Sequence, residues 1–206
     1  MVHYNGVGYV CIIVVVRAKV KNIISIYILG MNSEVHKAIA IPVTFQNGEF
    51  KFLVVKDKRF KEWTFITGGC RKREVFNPIR CALRELEEET RGILNLKRGT
   101  YNYFKFTTSF EPLEESIYHV YLFHVNISPD DMTHITEKFM EEKDKMDTNQ
   151  VAFRKNYDEN DNLEFTTLTE LQSKNVWRMI TDKVINNPDF YNALHSSKSK
   201  NFYIVY

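Results

Sequence analysis

Four glutamates fall within five consecutive positions, Glu85, Glu87, Glu88 and Glu89, on a segment whose own punctuation makes it one helix. Asn77-Pro78 stands ahead of it, an asparagine suited to capping and a proline suited to the first helical position, and Gly92 stands behind it as a stop. Ile79, Ala82, Leu83 and Leu86 recur at helical spacing and make a stripe to be buried, while Glu85, Glu88 and Glu89, spaced i, i+3, i+4, share another face. Each such like-charge pair costs a few tenths of a kcal/mol in an isolated helix. A solvated face with Arg84 and Arg91 as counterions would offset that cost, and so would a bound cation.

The surroundings of the helix bear on that choice. Tyr9 to Val20 and Ile24 to Leu29 are dense in β-branched residues and read as two strands, joined as a hairpin across Lys21 and Asn22. A second pair, "AIAIPVTF" and "FKFLVVK", is joined by Asn47-Gly48, a strong hairpin signal. "EWTFITGG" is a short strand that ends in Gly68-Gly69, and the basic run Arg71, Lys72, Arg73 leads from it toward the helix. Downstream, "YNYFKFTTSF" and "SIYHVYLFHVNI" predict strands and "MTHITEKFMEEKDKM" a charged amphipathic helix. "KNYDENDN" predicts a loop, "LEFTTL" a last strand, and "TELQSKNVWRMITDKVIN" a helix with Leu171, Val176, Met179, Ile180 and Val184 as its apolar stripe. The tail from Pro188 carries no clear signal. Strands interspersed with helices indicate an α/β or α+β sandwich, read as a single domain over 1–206.

Lys+Arg 28 against Asp+Glu 26 leaves a formal charge of +2, which excludes an overall polybasic field and limits any nucleic-acid contact to a local patch. The three cysteines, Cys11, Cys70 and Cys81, show neither a disulfide framework nor metal-ligand spacing, and fit a reducing, cytoplasmic setting. The apolar run "VCIIVVV" is far shorter than the roughly 20 residues of a membrane-spanning helix, so no membrane partner is expected. The six histidines form no ligand pattern. His119 and His124 sit on opposite faces of one strand.

Strand, Gly-Gly turn, basic loop, Asn-Pro cap and then Arg84-Glu85-Leu86-Glu87-Glu88-Glu89 resembles the Nudix box, G-x5-E-x7-R-E-U-x-E-E-x-G-U with U aliphatic. The resemblance implies an α/β/α sandwich with a mixed sheet, here with extra N-terminal strands and a C-terminal helix. It implies that Glu85, Glu88 and Glu89 bind Mg²⁺ or Mn²⁺, that a carbonyl of Gly68 or Gly69 adds an oxygen ligand, and that Arg84 braces the loop by pairing with a carboxylate. Hard oxygen donors suit those ions. The implied activity is hydrolysis of a pyrophosphate bond, with Glu164 as the candidate general base and Glu111, Glu114 and Glu115 as rivals.

The box departs from the pattern in its middle and at its end. Glu74 is correctly spaced from Gly68 but two residues too far from Arg84, and the position counted back from Arg84 holds Phe76. Arg91 stands where the closing glycine belongs, with Gly92 one later. This irregular box is similar to those of the Nudix decapping enzymes of large DNA viruses, so a capped RNA joins ADP-ribose, nucleotide sugars and dinucleoside polyphosphates as a candidate substrate. Arg71, Lys72 and Arg73 are placed to meet phosphates. Tyr101, Tyr103, Phe104 and Phe106, interleaved with Lys105, suit either base stacking or a sheet core. A non-catalytic Nudix-fold binding module is the competing class; oligomeric state is unreadable.

Overall fold

The computed structural model describes residues 13–17, 24–28, 33–96, 99, 101–110, 114–148 and 155–196. β1 (Ile13–Arg17) and β2 (Ile24–Ile28) pair antiparallel as a separate two-stranded sheet, and the turn proposed at Lys21 and Asn22 lies outside the described residues. The principal sheet holds β3 (Ser33–Gln46), β4 (Glu49–Asp57), β5 (Trp63–Thr64), β6 (Ile66–Gly69), β7 (Tyr101–Phe110), β8 (Glu114–His124) and β9 (Asn160–Thr166). Its strands run in the order β5-β4-β3-β8-β7, with β6 added to β3 and β9 to β4. Among the described strands, β3 and β8 pair in parallel and the other pairs are antiparallel, which makes the sheet mixed.

The Asn47-Gly48 hairpin forms as its residues dictate. Both have positive φ, 53° and 86°, the conformation a tight two-residue connection requires, and Gln46 pairs with Glu49 across it.

Helices cover both sheet faces. On one, α1 (Pro78–Glu89) and α2 (Pro129–Asp147) seat Ala82, Leu86, Ile135 and Phe139 against Ala38, Ala40, Tyr121 and Phe123. On the other, α3 (Leu168–Gln172), a π-helical segment (Ile180–Ile185) and α4 (Pro188–His195) seat Leu171, Val184 and Phe190 against Ile39, Phe52 and Val120. This is the α/β/α arrangement that the resemblance to the Nudix box implies. No described helix is long and apolar enough to cross a membrane.

Three expectations need correction. The single helix expected from Thr169 is broken between α3 and Arg178, because Asn175 and Trp177 are drawn into backbone hydrogen bonds with Trp63 in β5 (2.8 and 2.9 Å). The loop expected at 155–162 ends early, since β9 starts at Asn160. The side chain of Asn77 does not cap α1; its carbonyl accepts from Arg80 at 3.0 Å while Pro78 occupies the first turn as expected.

Candidate active site

The carboxylates of α1 do not form a solvated face. Glu85 and Glu89 are 8% and 6% exposed and lie on the buried side of the helix with Ala82 and Leu86. A charged group enters such a place only when partners compensate for lost water. For Glu85 and Glu88 the partner is Arg84, whose Nη1 donates to both at 2.6 and 3.0 Å. For Glu89 the partners are neutral, Thr67 N at 3.1 Å and Asn160 Nδ2 at 3.0 Å. Burial pushes the Glu85 and Glu89 carboxyls above the ordinary carboxylate range, Glu89 the further, against the pull of those donors. Glu87, at the variable position, is half-buried.

Glu74 reaches Arg84 in spite of the irregular spacing. The loop from Cys70 to Asn77 turns on itself, with Glu74 N donating to Arg71 O at 2.7 Å and Asn77 N to Glu74 O at 2.8 Å. The extra length is taken up on the outside, where Phe76 is 93% exposed. Arg84 grips Glu74 through Nε and Nη2, both at 2.9 Å, and its Nη2 also donates to Gly69 O at 3.0 Å. That two-pronged grip holds the Glu74 carboxyl well below the usual range, at about 2. Arg71 adds Nη2 to Glu88 at 3.0 Å, while Lys72 and Arg73 are exposed.

The displaced glycine also has a structural account. Arg91 takes φ 57° and Gly92 φ 77°, and their backbone amides donate to Glu88 O and Glu87 O, so the helix closes with a Schellman pattern one residue out of step. A left-handed conformation at a non-glycine residue is costly. The Arg91 side chain lies over the Phe139 ring at 3.8 Å and donates to Asn160 O at 2.7 Å, which ties the end of α1 to β9.

Gly68 is held to glycine by contact. A Cβ there would lie 2.0 Å from Glu85 Cδ, so the carboxylate rests directly on the glycine backbone. Gly68→Ala is expected to expel Glu85 from its place and weaken Mn²⁺ binding at least about tenfold, measured by isothermal titration.

Beside Glu89 and the two glycines opens a pocket of about 530 Å³, walled by Phe60 and Trp177 and by the acidic Asp57, Glu62 and Glu159. Glu164 does not line it: that side chain lies on β9 and pairs with Lys174 at 2.9 Å. Glu111 and the side chain of Glu114 fall outside the described residues, and Glu115 sits on β8 away from the pocket lining. Glu159, Asn160, Phe60 and Trp177 were missed from the sequence. The signal that could have found the first two was the acidic and amide-rich run "KNYDENDN".

The donors available to a cation are carboxylates and backbone carbonyls, a hard-oxygen set that fits Mg²⁺ or Mn²⁺. Among the described residues, however, no three acidic, histidine or cysteine side chains converge closely enough to hold one, with Arg84 bonded to Glu85 and Glu88. The metal cluster that the box implies is therefore drawn toward an arginine here.

A sandwich that presents a glutamate-bearing helix and a Gly-Gly turn at the edge of its sheet defines the Nudix hydrolase class. The chain belongs to that family: the NUDIX domain matches residues 35–178. Solved structures resemble the chain at low identity. The NUDIX domain of Shewanella oneidensis NrtR complexed with ADP ribose is 10% identical, with 71% of this chain and 81% of that one covered and a TM-score of 0.46. An Ap4A hydrolase from C. elegans is 16% identical over 71% and 89%, with a TM-score of 0.43. A NUDIX hydrolase from Listeria monocytogenes is 15% identical over 77% and 88%, with a TM-score of 0.44. No curated protein sequence matches the chain.

Proposed function

We propose that the chain is a Mg²⁺- or Mn²⁺-dependent pyrophosphohydrolase of a nucleoside diphosphate-linked substrate, and that this substrate is the capped 5′ end of an RNA. The observation that carries the reading is the desolvated carboxylate Glu89 opening into a pocket with two aromatic walls. Glu85, Glu88, Glu89 and the Gly68 carbonyl would hold the ion, which supplies charge neutralisation for two adjacent phosphates and an acidified water.

The chain's own residues do the remaining work. Arg84 keeps Glu74 and Gly69 in place and holds the loop against α1. Phe60 and Trp177 supply aromatic walls for a nucleobase, and the carboxylates Asp57, Glu62, Glu89 and Glu159 outnumber the single lysine, Lys37, in the lining, which favours a base that carries positive charge, as the methylated guanine of a cap does. Glu159 replaces Glu164 as the proposed general base, because its residue lines the pocket and Glu164 does not. Arg71, Lys72 and Arg73, on the loop that follows Gly69 of the pocket lining, are the proposed contacts for the phosphates of a longer substrate.

The test is hydrolysis of cap-labelled RNA, free ADP-ribose and a dinucleoside tetraphosphate, each with and without Mg²⁺ or Mn²⁺. Metal-dependent release of a methylated guanosine diphosphate from RNA is the expected result. Preference for a free nucleotide would make the protein a small-molecule pyrophosphatase, and inertness toward all three would make it a binding module.

A further inference from the structure

Helices cover the α1 and α2 face of the sheet over only part of its width. β7 is the outermost strand on one side, and its residues Tyr101, Tyr103, Lys105 and Thr107 all stand exposed on that face, whereas Phe104 on the opposite face is buried. Tyr101 and Tyr103 are 42% and 45% exposed, a large aromatic surface on an open sheet.

Tyr103 continues an ordered row. Its ring lies edge to edge and nearly coplanar with His119, with centroids 6.1 Å apart and 19° between planes, and His119 lies likewise beside His36 at 5.3 Å and 12°. Hydrogen bonds lock the three together, from the Tyr103 hydroxyl to His119 Nδ1 at 2.9 Å and from His119 Nε2 to His36 Nδ1 at 3.0 Å. The rings are thus fixed before any ligand arrives.

The row joins the active site. His36 O accepts from Cys70 N at 2.8 Å, at the root of the loop that carries Lys72 and Arg73. The next residue of β3, Lys37, points to the other face and lines the pocket. Lys105 sits across from His119 in the β7–β8 register. Lys72, Arg73 and Lys105 form no ion pair among the described residues; of the carboxylates on this face, Glu34 lies 3.6 Å from His36 and Glu115 sits beside Glu34 in the β3–β8 register, at the end of the row away from Tyr101.

We infer that this strip is a platform for single-stranded RNA, which holds the nucleotides that follow the one in the pocket. The inference rests on the capped-RNA reading of the active site. Fixed aromatic faces on an open sheet stack bases with little regard to sequence, and cations beside them neutralise phosphates. Charge complementarity selects the occupant: Lys105 stands beside rings that hydrogen-bond one another, and Lys72 and Arg73 extend from the loop rooted at His36.

Fluorescence anisotropy with a 12-nucleotide, uncapped, single-stranded RNA tests the platform without requiring hydrolysis. Tyr101→Ala/Tyr103→Ala is expected to weaken binding at least about tenfold, while Tyr101→Phe/Tyr103→Phe keeps the wild-type affinity. Lys72→Gln/Arg73→Gln is expected to flatten the log–log salt dependence by about 1.4. The KM for capped RNA should rise in the alanine variant by about the same tenfold factor, relative to the KM for a cap dinucleotide. Aromatic-dependent binding without hydrolysis of any capped substrate would support the platform and sink the decapping reading. Wild-type affinity in the alanine variant, with its circular dichroism intact, would overturn the platform, as would wild-type protein that fails to bind the RNA at low salt.

Discussion

Replacing the two adjacent carboxylates, Glu88→Gln/Glu89→Gln, is expected to lower hydrolysis about a thousandfold or more and leave the metal-free fold standing. The first half follows from what the ion supplies. Charge neutralisation at a pyrophosphate is worth several kcal/mol in the transition state, and about 4 kcal/mol corresponds to three orders of magnitude in rate. The second half follows from burial. Glu89 is 6% exposed, and the donors it meets, Thr67 N and Asn160 Nδ2, are neutral, so burial pushes its carboxyl well above the ordinary range. An amide of the same shape carries no such desolvation cost, though one of its atoms must face a donor.

Differential scanning fluorimetry separates the two effects. Wild-type protein at about 100 times the dissociation constant of Mn²⁺ should gain about 2.7 kcal/mol, or roughly 5–10 °C in Tm. The double variant should begin near the wild-type metal-free Tm and show no metal-induced rise. A variant that loses activity and also melts far below wild type without metal would place these carboxylates in the scaffold rather than in the chemistry.

How much of this site was legible in the chain depends on how local its causes are. Asn47-Gly48 announced its hairpin because a turn with two positive φ angles depends on those two residues alone. The helix was legible for the same reason, from Asn77-Pro78 to Gly92, and so was the likeness of its Arg-Glu segment to the box. Which side the glutamates face was not. Spacing put Glu85, Glu88 and Glu89 together, but the burial of Glu85 and Glu89 is created by Gly68, Thr67 and Asn160, the last lying 71 positions from Glu89.

The same limit explains the unforeseen pocket carboxylate and the broken helix. Glu164 was chosen for its place in a strand that enters a helix, yet the residue that lines the pocket is Glu159, at the loop end of the same strand. The apolar stripe of Leu171, Ile180 and Val184 does reach the core. Its helix still breaks, because the short strand β5 takes Asn175 and Trp177 as backbone partners, a demand that no periodicity displays. Glu74 shows the converse case. Counting made its contact with Arg84 depend on a bulged loop, and the loop does store two residues in an outward bulge, where Phe76 marks their place.

Removing Arg84 should expose what that contact contributes. Arg84→Ala leaves Glu74, Glu85 and Glu88 without the guanidinium that bonds all three, and stripping the counterion from buried carboxylates costs about 3–5 kcal/mol. Tm should fall by roughly 10 °C in the metal-free protein. Arg84→Lys should recover little of it, since one ammonium cannot reproduce the two-pronged grip on Glu74 and the bond to Gly69 O. The pH dependence carries a second signature. In the wild type the Glu74 carboxyl titrates near 2, below its unfolded value, so it stabilises the fold above about pH 4.5 and that stability is lost as pH falls toward 2. Without Arg84 this acid-labile component disappears. The Glu85 carboxyl, already raised by burial, rises further. A group whose folded pKa is raised stabilises the protonated protein, so the variant should become more stable as pH falls from 7 to about 5, over a range where Glu74 contributes nothing to the pH dependence of the wild type. Mn²⁺ should restore part of the lost Tm at pH 7, because a cation replaces the missing charge. A uniform loss across pH, unmoved by Mn²⁺, would show that Arg84 acts by packing alone.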